Sequence, residues 1–153
     1  MNLNVLRKGR KKAENGDIFV FQLKQEPNQY RYGRVINAAS NIGGFKDTIM
    51  IYMYNITSSD KTRIPDLNRR NLLVEPMATN QLPWSKGYFE YVENRPIESN
   101  ETFEHHYFRD FRGKLFDEHG NEVARASEPI GEYGLQSYKT IDDKISMALG
   151  YPV

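Results

Sequence analysis

The side chains of this chain that could do chemistry are few, and their spacing limits what they could do. His105 and His106 are adjacent and His119 stands alone further on. Neighbours on a strand point to opposite faces, so the pair cannot ligate one metal without distortion, and no metal or cofactor site is expected. Cysteine is absent, which removes thiol nucleophiles, disulfide scaffolds and Cys-rich zinc modules, and suits a reducing, cytoplasmic setting. No Gly-x-Ser-x-Gly elbow, Gly-x-Gly-x-x-Gly turn or Walker loop occurs; Gly43-Gly44 reads as a turn. Asp117-Glu118 flanks a hairpin and Asp142-Asp143 sits near a helix start, so structural roles explain both pairs. The one pair suited to phosphodiester chemistry is Arg34 with His105 or His106, a convergent cation and base.

Charge is the stronger signal. Glu90, Glu93, Glu98, Glu101 and Glu104 fall within fifteen residues, relieved only by Arg95. On one reading this is a solvated loop; on the other it is a negative patch that docks a basic partner. The N-terminus carries Arg7, Lys8, Arg10, Lys11 and Lys12, and Tyr30, Arg31, Tyr32 and Arg34 interleave rings with cations. The basic run alone would give only non-specific, salt-dependent contacts, and Tyr30–Arg34 fits a half-buried strand face better than a base-stacking surface. Nucleic acid is therefore not favoured as a partner. Residues 1–75 carry 13 basic and 7 acidic side chains and residues 76–153 carry 8 and 13, balances of +6 and −5 within a net charge of +1.

The elements that must position these groups are mostly strands. At 153 residues a single domain is expected, with residues 1–15 as a basic extension and 16–153 as the β-rich body. Mean hydropathy is −0.72 and no run approaches the ~20 apolar residues of a membrane span; ten Tyr and eight Phe supply the core bulk. Ile18–Lys24 and Thr48–Thr57 alternate in period 2. In the second of these, Ile49, Ile51 and Met53 oppose Met50, Tyr52 and Tyr54. Further strands are expected at Tyr30–Ala39, Asn71–Met77, Lys86–Val92 and His105–Phe111, and a hairpin over Lys114–Val123. The period then changes. Ile141, Ile145, Ala148 and Leu149 share a helical face after a capping pair Thr140–Asp143, with Gly150 at the C-terminal cap. The expected fold is β-rich α+β: one strongly bent antiparallel sheet or partly open barrel, closed by a C-terminal helix.

The ordered pieces GDIFVFQL, YRYGRVI, WSKGYFEYV, KLFDEHGNEV and GLQSYKTIDDKISMALG, spanning Gly16 to Gly150, resemble the immunity protein 26 family of bacterial polymorphic toxin systems. The Asn94–Glu104 stretch and the basic N-terminus lie outside that pattern. The resemblance implies a non-enzymatic cytoplasmic protein that binds and neutralises a cognate toxin domain. Its signature positions Gly33, Trp84, Gly87 and Phe89 read as core and turn residues. Arg34, if buried, needs a carboxylate and is the one signature residue suited to a functional role. The expected toxin-binding residues are Glu93, Glu98, Glu101 and Glu104, with Tyr32 and Arg34 as the second surface. The alternatives are a small-barrel RNase of a toxin–antitoxin system, suggested by Gly-Asp-Ile-Phe-Val opening a strand-rich chain, and a generic nucleic-acid-binding module.

Overall fold

Period-2 alternation in three successive segments builds the centre of the molecule. The computed structural model describes residues 1–153, and in it β1 (Asp17–Phe21), β2 (Tyr30–Ser40) and β3 (Thr48–Ser58) form an antiparallel meander. β4 (Met77–Thr79) adds beyond β3 and β5 (Glu90–Asn94) beyond β1, giving the order β4-β3-β2-β1-β5. Each of β1–β3 is buried on both faces. Phe19, Phe21, Leu23, Val35, Ile51 and Met53 lie on one side, and Ile18, Val20, Tyr32, Ile36, Tyr52 and Tyr54 on the other. That is the sequence pattern of a sheet covered on both faces.

The first face is sealed by apolar material. α1 (Leu82–Ser85) contributes Trp84, and α2 (Tyr138–Leu149) contributes Ile141 and Ile145. Phe89 stacks on Phe19 at 4.3 Å, with Trp84 edge-on to both rings at 5.1–5.2 Å. Gly33 faces Phe19 across the β1–β2 pair, and a Cβ there would stand 2.2 Å from the Phe19 ring. The glycine is the space that ring occupies. Gly87 has φ +86°, which turns the chain from α1 into the run leading to β5, and Leu6 N–H donates to its carbonyl at 2.8 Å. From the N-terminal segment, Leu3 and Ala13 bury on this face, while Leu6 packs against the other. Asn2 and Leu3 N–H groups donate to Asp142 at 2.9 and 2.7 Å, and Asn4 N–H to Gln22 O at 2.8 Å.

A second sheet is assembled entirely from the acidic half of the chain. β6 (Tyr107–Arg109), β7 (Leu115–Asp117), β8 (Glu122–Val123) and β9 (Ile130–Glu132) lie in the order β8-β7-β6-β9, with β9 parallel to β6. β1–β3 come from the basic half, so the charge asymmetry of the sequence survives in part as a division between sheets.

Several expectations need correction. There is no single bent sheet and no barrel. There are two sheets of five and four strands, neither closed nor strongly curled. Closure would require β4 to meet β5, but the outer edge of β4 is taken by residues 135–136: Ala78 bridges Leu135, and Gln136 N–H donates to Ala78 O at 2.8 Å. No strand runs over Asn71–Met77. Asn68 caps a 3-10 turn at Arg69–Asn71 instead, and β4 starts only after Pro76, which has no N–H to donate. β5 starts at Glu90 and not Lys86, because Pro83 starts a helical turn first. α2 starts at Tyr138, capped by Ser137, whose hydroxyl accepts from Thr140 N–H at 3.2 Å; Thr140 is not the cap. Ala148 is exposed, while Gly150 is the left-handed cap at φ 77°. The folded surface of 8292 Å² is close to the ~8,000 Å² expected for this mass.

A candidate binding loop and the buried network that holds it

The other face of the five-stranded sheet is closed by Phe108 of β6 and, over much of its area, by loops. Loops carry backbone polar groups that strands do not satisfy, so this face needs polar side chains underneath. β2 and β3 supply them. Arg34 is 0% exposed, ion-pairs through Nη1 with Glu101, and donates from Nη2 to the carbonyls of Arg95 at 2.7 Å and Pro96 at 3.0 Å. Arg69, from the 3-10 turn, donates to Ser99 O at 2.8 Å and Thr102 O at 3.2 Å. A planar five-donor group suits this work, because one side chain can satisfy several loop carbonyls.

Tyr52 continues the network. Its hydroxyl accepts the N–H of Phe103 at 3.1 Å and lies 2.5 Å from His106 Nε2. His106 Nδ1 lies 2.9 Å from Glu118 Oε1, and Asn37 donates to the other Glu118 oxygen at 2.7 Å. Burial alone would push the Glu118 carboxyl up; hydrogen bonds from His106 and Asn37 outweigh it and hold the group below its ordinary value. An ionised Glu118 only accepts, so His106 Nδ1–H donates to it. Burial pushes both Tyr52 and Tyr54 up, so both stay phenols. The chain Tyr52–His106–Glu118–Asn37 joins the central sheet to the β7–β8 turn, and Arg34–Glu101 joins it to the 95–105 loop.

The expected site residues therefore separate. Tyr32 is fully buried and its hydroxyl bonds the carbonyls after β3, to Asp60 at 3.0 Å. Arg34 is equally covered, so the Tyr30–Arg34 strand presents neither of them to solvent. Glu101 is 14% exposed at its side chain; one oxygen meets Arg34 and the other accepts Glu98 N–H at 2.7 Å. Glu93 pairs with Arg95 at 2.6 Å on the surface. Glu98 is exposed, and Glu104 stands 90% exposed. Gly33, Trp84 and Phe89 lie in the first core and Gly87 at its edge.

For phosphodiester chemistry the geometry is unsuitable. Arg34 and His106 are both buried and engaged, while His105 faces solvent. No group of three His, Asp or Glu side chains is placed to hold a metal ion, and no helix is long and apolar enough to cross a membrane. The network itself was not legible in the sequence. Its signals were the aromatic face of β3, which singles out Tyr52 and Tyr54 but not their partners, and Arg34, which calls for a carboxylate without saying which.

The 95–105 loop is thus held from beneath by buried Arg34 and from the side by half-buried Arg69, with the carboxylates of Glu98 and Glu104 left pointing outward. The chain matches the immunity protein 26 family over residues 14–113, and it belongs to that family. The matched span contains β1–β6 and the 94–104 stretch, and ends before β7. No curated protein and no solved structure matches the chain.

Proposed function

We propose that this protein confers immunity by binding a cognate toxin domain in the cytoplasm and occluding its active site, without catalysis of its own. Family membership supports a toxin-immunity role. The observation that carries the binding mode is the 95–105 loop, in which Arg34 and Arg69 fix the backbone while Glu98 and Glu104 face outward. A loop ordered before binding loses little conformational entropy on association. Its exposed carboxylates, with Glu93 beside them, steer a basic surface such as the substrate cleft of an enzyme that acts on a polyanion. Glu101 acts from beneath, by holding the loop, and Arg34 through it.

The test is Glu98→Lys with Glu104→Lys, followed by stopped-flow association with the toxin domain across a salt series. Slower association and a shallower salt dependence are expected, with unchanged melting. Wild-type kinetics at low salt would remove the loop from the interface.

A further inference from the structure

The hairpin turn between β6 and β7 places an aromatic ring in water with no fold role for it. Phe111 is 93% exposed, the most exposed of the large apolar side chains of the chain. Single exposed apolar residues are ordinary, but three features set this one apart. The turn that carries it is rigid. The Asp110 carboxylate accepts the N–H groups of Arg112 and Lys114, each at 2.9 Å, Asp110 N–H donates to Lys114 O at 2.9 Å, and Gly113 N–H returns to Asp110 O at 3.1 Å.

The charges around it are unbalanced. Arg109, Arg112 and Lys114 are exposed and none makes an ion pair, although they lie in the acidic half of the chain. The nearby carboxylates are already in use: Asp110 by its own turn, and Glu132 by Lys144 at 2.8 Å and Gln136 at 3.3 Å. Arg112 lies over the Phe111 ring at 5.2 Å.

Beside the ring lies an open groove of about 500 Å³, with Phe111, Ile130 and Tyr133 as its apolar lining and Arg109, Asp110 and Glu132 at its rim. Tyr133 is held by stacking on Phe116 at 3.9 Å. A preorganised aromatic next to unpaired arginines is the composition of an interface hot spot.

We infer that the Asp110–Gly113 turn is a second contact element for the toxin domain, a finger whose Phe111 enters an apolar recess edged by carboxylates. This rests on the toxin-binding reading and adds the chemistry of the other side. Glu104 and Phe111 are seven residues apart, at most about 25 Å of extended chain. A standard interface of about 800 Å² per partner is about 30 Å across, so one footprint covers both. The partner that fits has basic walls for the acidic loop and carboxylates at the floor for the finger.

The probe is a candidate toxin domain, the C-terminal domain of an exported protein taken from the genomic neighbourhood of this chain's gene, made inactive and titrated calorimetrically at physiological salt. Phe111 makes no core contact, so Phe111→Ala should melt with the wild type. It should weaken binding about 30-fold or more, the range of a hot-spot residue. Arg112→Glu should also weaken binding and change its salt dependence. If wild type binds and both variants bind equally well, the finger is not a contact element, while the toxin-binding reading stands. If wild type fails to bind the domain, that reading falls and the inference with it.

Discussion

The two faces of the central sheet are both buried, yet they are built on different physics. On one, Phe19, Phe21, Phe89 and Trp84 meet Ile141 and Ile145 from α2, covered by two helices and Leu3 and Ala13 of the N-terminal segment. On the other, Tyr32, Tyr52 and Tyr54 share the interior with Arg34 and His106 under Phe108 of β6 and irregular loops. Helices satisfy their own backbone, so apolar side chains suffice beneath them; loops do not, and the sheet must supply donors and acceptors. The first face is held by apolar packing, and the second uses its polar groups to fix the loops above it. Buried polar networks of this kind specify one conformation more than they add net stability.

The largest expected effect lies on the apolar face. Trp84→Ala should cost about 3–5 kcal/mol in denaturant unfolding, a large share of the ~5–15 kcal/mol a domain has. Native Trp84 fluorescence should be blue-shifted, since the residue is 4% exposed. A red-shifted, freely quenched Trp with an undamaged variant would break the contrast between the faces.

On the polar face, Arg34→Met should cost about 2–3 kcal/mol, below the ~3–5 kcal/mol of a fully buried pair because Glu101 keeps some contact with water. Limited proteolysis between residues 95 and 105 should accelerate. Adding Glu101→Leu should recover part of the stability without restoring the loop, which separates the energetic role of the pair from its positioning role. If proteolysis is unchanged, Arg34 does not hold the loop.

A smaller effect is set by pH. Glu26 is held low by its hydrogen bonds from Arg31, against some burial, and Glu132 by Lys144, likewise against burial. Burial works against Glu118, but His106 and Asn37 still keep it low. A carboxyl whose folded value lies below its ordinary 4.5 binds protons more readily in the unfolded chain. Its stabilisation is complete above about pH 4.5 and drains away as pH falls through the lowered folded value. Melting temperature should therefore drop on acidification below that point. Glu118→Gln should cost about 1–2 kcal/mol at neutral pH and flatten the acid limb, measured by thermal melts across pH. The smallest effect is that of Glu98→Lys with Glu104→Lys, within about 0.5 kcal/mol per site, read from the same melts. A larger loss would show that these carboxylates also support the fold.

Much of the scaffold was readable before any coordinates. The alternation in Ile18–Phe21 and Thr48–Tyr54 assigned each residue to its face, because period 2 is a local property of extended backbone. The i, i+4 spacing of Ile141 and Ile145 with Gly150 beyond marked α2 for the same reason. The errors fell where local signals conflicted or were weak. The strand expected from Lys86 begins only at Glu90, after the turn that Pro83 starts; Ser137 took the cap from Thr140, and β9 is three residues held by pairing with β6 and not by any pattern of its own. The five-stranded sheet stayed open for a reason no local pattern carries, namely that residues 135–136 occupy the outer edge of β4.

The acidic run shows the same division within one segment. By itself the sequence determined that five glutamates sit between Glu90 and Glu104, that a loop joins two strands there, and that Arg34 on β2 would need a carboxylate if buried. Only the tertiary structure decided that Glu101, 67 residues away, is that carboxylate, and that Glu90 pairs with Lys61, Glu93 with Arg95, while Glu98 and Glu104 face water. Periodicity is written in neighbouring residues, whereas the cost of burying a charge is met by whichever partner the topology brings beside it.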